Sequence, residues 1–345
     1  MSRTKFVVTA ALSLAIVFAA ACADDTDPVL TAEGGGSADG KADGTGFLRC
    51  TGRPFTPPGK TGFRHTSSKL AALTGARHHA QDVIVPPQGR TALVAKLAYG
   101  PVWKDLEDEN ATVYLDNCAR WVEVATVRTD GDGFATLPVS VGLPAGEYEV
   151  RVVARGDASQ TTLNLWVLPA GTHVAVTDID GTMTTSDTEL FVQILVGSYV
   201  PAAYPDATAL TTAHAAKHHV MVYVTGRPAY LTAKSREWLT SLGFAPGPLR
   251  LAPTATDTLP FDANVGTYKR DYLAGLASKG YLLDLAYGNA TTDIFAYTGA
   301  GLPGDRQWII GTNGGMGGSH AVTDSWTARV AEVNALAPVV QPFQP

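Results

Sequence analysis

The chain predicts two domains, an antiparallel β-sandwich followed by a doubly wound parallel α/β sheet, and three features of its 345 residues carry that expectation. Hydrophobic residues make up 45% and charged residues 17%, enough apolar material for two cores and too little charge for a largely disordered chain. Between residues 47 and 170, short apolar runs are separated by turn signals. From Gly171 onward, apolar strands alternate with helical segments.

Residues 1–21 have the layout of a signal peptide. Arg3 and Lys5 precede an apolar run over residues 6–21, about 16 residues, short of the roughly 20 that span a bilayer. The run ends in Ala19-Ala20-Ala21-Cys22. This resembles a bacterial lipobox, with Ala19 where Leu is usual, and so predicts a lipid anchor at Cys22; plain cleavage after small residues is the alternative. Both place the protein outside the cytoplasm, as a bacterial membrane-anchored lipoprotein or as a secreted or periplasmic protein. Residues 22–46 are dominated by Gly, Asp, Ala and Ser and predict a flexible tether.

Residues 47–170 contain DVIVP, TALVAKLAY, ATVYLD, WVEVATV, FATLPVSV, EYEVRVVA and TTLNLWVLP. Their β-branched and aromatic residues and partial alternation predict strands, and PPQG, TDGDG, LPAG and RGDAS supply the turns. The spacing fits an immunoglobulin-like sandwich. Asp130-Gly-Asp132-Gly133 resembles a calcium loop, but the twelfth position is Val141 where a bidentate Glu is needed, so a hairpin turn is expected. With Cys22 lipidated, Cys50 and Cys118 remain as an even pair, forming a disulfide or standing as two separate buried thiols.

Residues 171–335 read as strand HVAVTDID, helix PDATALTTAHAAKHH, strand VMVYVTGRP, and helix AYLTAKSREWLTSLGF closed by Gly243. Helix KRDYLAGLASKG, strand YLLDLAYGN, helix TDIFAYTGAG and strand DRQWIIGTN follow. In such sheets function collects at the carboxyl ends of the strands.

At one such end stands TDIDGTMTTSD. Asp178 and Asp180 flank Ile179, so both carboxylates can point into one site while Ile179 enters the core. Paired carboxylates are costly to bury without a cation, and Mg²⁺, a hard ion that also binds phosphate oxygens, suits them. Gly181 and Thr182 add a turn whose N–H groups can face a phosphate. Alone, Asp-x-Asp-Gly is a common polar turn. That bland reading weakens because Thr225 ends VMVYV, Asn289 and Asp293 follow LLDLAY, and Lys269 opens a helix between them.

The order Asp-x-Asp-Gly-Thr, Thr, Lys, Gly-Asn-x-x-x-Asp resembles the four motifs of the haloacid dehalogenase superfamily. DIDGTMTTSD is similar to the corresponding segment of the lipins. VYVTGRP, YGNATTDIFAYTGAGLP and WIIG are similar to the lipin-like domain of retinal-degeneration-B-type phosphatidylinositol transfer proteins. The resemblance covers residues 173–313 and implies a phosphomonoester hydrolase. It implies that Asp178 is the nucleophile, Asp180 the general acid and base, and Thr225 and Lys269 the holders of the phosphoryl oxygens. It further implies that Asp178, Asp293 and the backbone carbonyl of Asp180 hold Mg²⁺, with Asn289 ligating it or orienting its waters. The intervals between the motifs leave no room for a large cap, so the open site suits a bulky substrate such as phosphatidic acid or another lipid phosphate. A broad secreted acid phosphatase or nucleotidase, and a phosphatidic-acid-binding module without turnover, are the rival expectations.

Lys234 is a rival for the Lys269 role and reads as a solvated helix lysine. His214 and His218, four apart, and His78-His79 read as solvated, and GTNGGMGG as a mobile rim loop. A net charge of −6 offers no footprint for nucleic acid.

Overall fold

The computed structural model describes residues 27–32, 46–186, 199–253 and 263–343. The expected signal peptide, Cys22 and most of the expected tether lie outside the described residues.

The first domain is built from two facing sheets. One has the strand order Val29–Thr31, Phe134–Gly142, Arg90–Lys96, His79–Ala80. The other runs Val83–Val85, Gln160–Val167, Gly146–Ala154, Asn110–Asp116, Trp121–Arg128, with Leu48–Cys50 also paired to Gly146–Ala154. The long pairings are antiparallel, as expected. Three short strands, Val29–Thr31, Leu48–Cys50 and Val83–Val85, instead add in parallel. Along Phe134–Gly142, Ala135, Leu137, Val139 and Val141 point inward and are buried against Leu93, Val113, Val150 and Leu163. Each such large side chain contributes roughly 1.5–3 kcal/mol.

One expectation changes at the start of this domain, and one is met. Residues 29–31 are not tether: Leu30 pairs with Val141 and is buried in the sandwich core. A single apolar run within a polar stretch is enough to extend a sheet that already presents unpaired backbone groups. Cys50 and Cys118, 68 apart in sequence, form a disulfide with their Cα atoms 4.7 Å apart. Asp130 makes a tight turn, its Oδ1 accepting the N–H groups of Asp132 (3.0 Å) and Phe134 (2.8 Å). In place of the expected hairpin, this turn carries the chain from one sheet to the other, with Thr129 bridging Ala135.

The second domain holds six strands in the order Leu249–Ala252, Val220–Pro228, His173–Thr177, Leu282–Gly288, Gln307–Ile310, His320–Val322, all parallel. The chain winds outward from His173–Thr177 in one direction, then returns to its other side, so the order reverses beside this central strand. Ala175 faces a layer containing Leu210, Trp238 and Val333, from helices Ala207–Ala216, Thr232–Ser241 and Thr327–Ala335. Val174 and Val176 face Leu273, Leu276 and Ala296, from helices Ala263–Ser278 and Thr291–Gly299. Among the described residues no helix is long and apolar enough to cross a membrane.

The two domains share a core. Ile84, Trp166 and Leu168 of the sandwich pack with Val174, Val176 and Val222 of the parallel sheet. Asp82, buried between them, accepts the N–H groups of Asn164 (2.7 Å) and Leu249 (2.9 Å) and pairs with Arg236 at 2.6 Å. Gln81 accepts the N–H of Leu251 at 2.9 Å. The sandwich thus covers the outer edge strand of the parallel sheet, which would otherwise be a template for stray pairing.

Candidate active site at the reversal of strand order

Asp178 follows the central strand directly, and its N–H donates to the Tyr287 carbonyl on the neighbouring strand at 3.0 Å. Ile179 is fully buried in the core, as the alternation expects. The buried Asp178 carboxylate takes Lys269 Nζ on Oδ1 at 2.7 Å and Thr182 Oγ1 on Oδ2 at 3.3 Å. Lys269, from helix Ala263–Ser278, donates equally to Asp293 Oδ1 at 2.7 Å.

Asp293 sits in the first turn of helix Thr291–Gly299. Its Oδ2 accepts the N–H groups of Asn289 (3.0 Å) and Ala290 (3.1 Å), satisfying donors that a helix start leaves open. Gly288 makes this possible, since a Cβ there would lie 2.6 Å from the Asp293 Cβ. Asn289 Oδ1 accepts from Thr182 Oγ1 at 3.1 Å, so one hydroxyl links Asp178 and Asn289. The glycine-rich loop is fastened here too: Asn313 Nδ2 donates to the Asn289 carbonyl at 2.8 Å.

Asp180 has different company. Arg227 grips it with Nε at 2.9 Å from Oδ2 and Nη2 at 2.7 Å from Oδ1, and Thr225 Oγ1 donates to Oδ2 at 3.3 Å. Arg227 is fully buried, donates to Ser235 Oγ at 3.1 Å and lies over Trp238 at 5.9 Å. The structure therefore gathers Asp178, Lys269, Asp293 and Asn289 into one group. Asp180 and Thr225 form a second group alongside. Arg227 was missed in the sequence; its signal was an arginine between Gly226 and Pro228 at the carboxyl end of a buried strand.

Burial is the largest influence on Asp178 and, with Asp293 and Asp180 nearby, pushes its carboxyl up to about 8 against the pull of Lys269. Burial opposes the charge on Lys269, but Asp178 and Asp293 outweigh it and hold the ammonium. Three acid side chains face two cations here, an all-oxygen donor set that suits a hard divalent ion, whose arrival would favour the ionised form of Asp178. Among the described residues no three His, Cys, Asp or Glu side chains converge as a metal cluster. The Asp180 carboxylate is turned to Arg227, so side-chain donation falls to Asp178, Asp293 and Asn289.

Lys234 is exposed on its helix. The solvated reading of the histidines is corrected. His214 is fully buried under helix Thr327–Ala335, its Nε2 lies 2.5 Å from Tyr287 Oη, and burial drives its pKa down to about 3. His78 lies 2.8 Å from Ser159 Oγ and accepts the Ala98 N–H, and burial lowers it to about 4.

Residues 76–167 match the family described as PITM 1-3, beta-sandwich domain, and residues 175–311 the family described as PITM 1-3, LNS2 domain. Protein retinal degeneration B of Drosophila melanogaster is 29% identical over 293 residues, 82% of this chain and 22% of that protein. Membrane-associated phosphatidylinositol transfer protein 3 of Homo sapiens is 30% identical over 265 residues, 75% of this chain and 26% of its own length. Human membrane-associated phosphatidylinositol transfer protein 2 is 27% identical, covering 81% of this chain and 20% of the relative. The chain thus spans about a quarter of the length of these relatives or less. These animal, membrane-associated relatives correct the expectation of a signal peptide, a Cys22 lipoprotein anchor and a bacterial, extracytoplasmic or secreted protein. A short apolar run ending in small residues and one cysteine carries too little information to support that expectation against them.

Proposed function

From a chain whose two domains belong to the β-sandwich and LNS2 families of the membrane-associated phosphatidylinositol transfer proteins, a lipid-related setting, we propose a Mg²⁺-dependent phosphatase acting on phosphatidic acid or a related lipid phosphate. The observation that carries this reading is the convergence of Asp178, Lys269 and Asp293 where the strand order reverses, the crevice in which such sheets bind ligands. Asp178 Oδ2 has only a long bond from Thr182, so one carboxylate oxygen is left for attack on phosphorus. Lys269 neutralises charge gathering on the transferring phosphoryl group. Asp180 protonates the leaving alkoxide and then takes a proton from the water that releases the aspartyl-phosphate, once its carboxylate turns from Arg227. Asp178, Asp293, Asn289 and the Asp180 backbone carbonyl would hold Mg²⁺, which would supply charge compensation for the phosphate oxygens.

A second reading is a phosphatidic-acid-binding module without turnover, and the grip of Arg227 on Asp180 favours it, because a carboxylate clamped by a guanidinium is turned away from the leaving group it would have to reach. Phosphate release from phosphatidic acid in mixed micelles, with Mg²⁺ and with EDTA, separates the two. Release that EDTA stops and Asp178→Asn abolishes is expected. Phosphatidic-acid binding with no release in either condition would establish the module. Equal or faster release from glycerol 3-phosphate or a nucleoside monophosphate would replace the lipid substrate with a soluble one.

A further inference from the structure

We propose that the sandwich domain carries a docking surface for an anionic lipid bilayer, placed beside the rim of the candidate site. Helix Thr66–Ala72 and the loop after it meet the tip of the hairpin formed by Ala98–Tyr99 and Lys104–Asp105. Gly100 N–H donates to the Gly75 carbonyl at 2.9 Å, Arg77 N–H to the Ala98 carbonyl at 2.8 Å, and Ala76 bridges Tyr99. On this joined tip Leu70 is 63% exposed, Leu73 82% and Val102 83%, among the most exposed large apolar side chains described. Leu70 and Leu73 are three apart, the spacing that puts two residues on one helix face.

Charge complementarity identifies the occupant. Exposed Lys69 and Arg77 flank the apolar side chains, and Lys104, also exposed and paired with Glu107, stands at the hairpin tip. Apolar side chains flanked by exposed cations such as Lys69 and Arg77 suit the boundary between acyl chains and anionic headgroups. A chain of net charge −6 would otherwise be repelled by such a surface, so a local cluster of this sign is needed for approach.

Position is the second argument. Trp103, at φ 53° in the same tip, packs its ring 4.8 Å from that of Tyr230 and 5.8 Å from that of His79. Tyr230 lies in the short 3₁₀ turn Ala229–Leu231, which follows Thr225 and Arg227 at the carboxyl end of their strand. The apolar tip is therefore continuous with the rim over which a membrane-borne phosphate would enter. This explanation of its place rests on the proposed lipid substrate, whereas the bilayer contact itself does not.

The test is co-sedimentation of the full chain with vesicles of phosphatidylcholine alone or doped with phosphatidylserine. Phosphatidylserine supplies negative charge without being a phosphomonoester. Binding is expected only to the anionic vesicles. Leu73→Asp with Val102→Asp should weaken it at least tenfold, and Lys69→Glu with Arg77→Glu by roughly fivefold or more for each charge. These exposed positions lie outside the catalytic group, so thermal unfolding and hydrolysis of a soluble phosphomonoester should stay as in the parent. Vesicle binding by the parent that neither pair reduces would overturn the proposal, and so would absence of binding. A parent dimer in analytical ultracentrifugation that Leu73→Asp/Val102→Asp makes monomeric, with no vesicle binding, would assign the surface to a second copy of the chain instead. Failure to hydrolyse any phosphomonoester, with vesicle binding intact, would remove the phosphatase reading and leave this one standing.

Discussion

Both domains bury carboxylates, and the second treats one of them, Asp178, unlike any in the first. In the sandwich each buried acid has donors of its own. Glu109 takes the N–H groups of Arg64 and His65, both at 2.9 Å, and Asp116 takes Arg53 Nε and the Cys118 N–H. Glu147 takes Arg49 at 2.9 Å and the Asn164 amide at 2.7 Å. At the carboxyl ends of the parallel strands, Asp293 too has donors of its own, the N–H groups of Asn289 and Ala290. It shares the Lys269 ammonium, however, with Asp178, whose further side-chain hydrogen bond among the described residues is long. Saturated acids hold loops and strands in place. An undersupplied one such as Asp178 retains lone pairs for an incoming ligand, at a cost in stability that a bound cation can offset.

The sharpest test of this contrast is Lys269→Met, which leaves Asp178 and Asp293 buried together without their cation. A loss of about 3–5 kcal/mol in denaturant unfolding is expected, partly restored by Mg²⁺. A loss under about 1 kcal/mol would mean that the site does not depend on the shared ammonium.

Glu147 gives the next largest effect and tests the other side of the comparison. Burial, the largest cause, pushes its carboxyl up to about 7 from 4.5 even though Arg49 is paired with it. Between those values the unfolded chain has released a proton that the folded chain keeps. The contribution of Glu147 is therefore full below pH 4.5 and declines by about 1.4 kcal/mol per pH unit until pH 7. Glu147→Gln should remove that slope from the difference between parent and variant stability curves. Parallel curves across this window would show that the dedicated donors already hold Glu147 ionised.

The smallest expected change is at the joint. Asp82→Asn weakens the pair with Arg236 and the acceptance of the Leu249 N–H, costing about 2 kcal/mol. Because both domains lean on Asp82, the loss should appear as separation of two unfolding transitions that coincide in the parent. A single transition at the parent midpoint would assign the coupling to the shared apolar core alone.

Much of the second domain was legible because buried parallel strands are nearly continuous apolar runs, and HVAVT, VMVYV and LLDLAY stop at glycine or at a polar loop. The positions of Asp178 and Asp293 followed from those strand ends, whereas Lys269, expected to open its helix, lies within Ala263–Ser278. The division of labour did not: that Asp180 faces Arg227 rather than the Lys269 group depends on a contact between strand ends 47 residues apart. His214 was misread because helix Thr327–Ala335, which covers it, has no strong boundary signal. In the sandwich the long strands were visible by composition. Val29–Thr31 and His79–Ala80 are too short for a period of their own and exist because a neighbouring strand offers them a ladder.

Trp326 gives the loop after Asp178 an optical reporter that needs no label. Its indole is fully buried, donates to the Thr182 carbonyl at 3.0 Å and stands edge-on to Tyr287 at 5.2 Å. Thr182 is also the hydroxyl that joins Asp178 to Asn289. A ligand that draws Thr182 toward itself changes the polarity and hydrogen bonding felt by this one ring. Rearrangement around Asp178 is therefore readable as a shift in tryptophan emission, assigned by comparison with Trp326→Phe, whether or not binding leads to turnover.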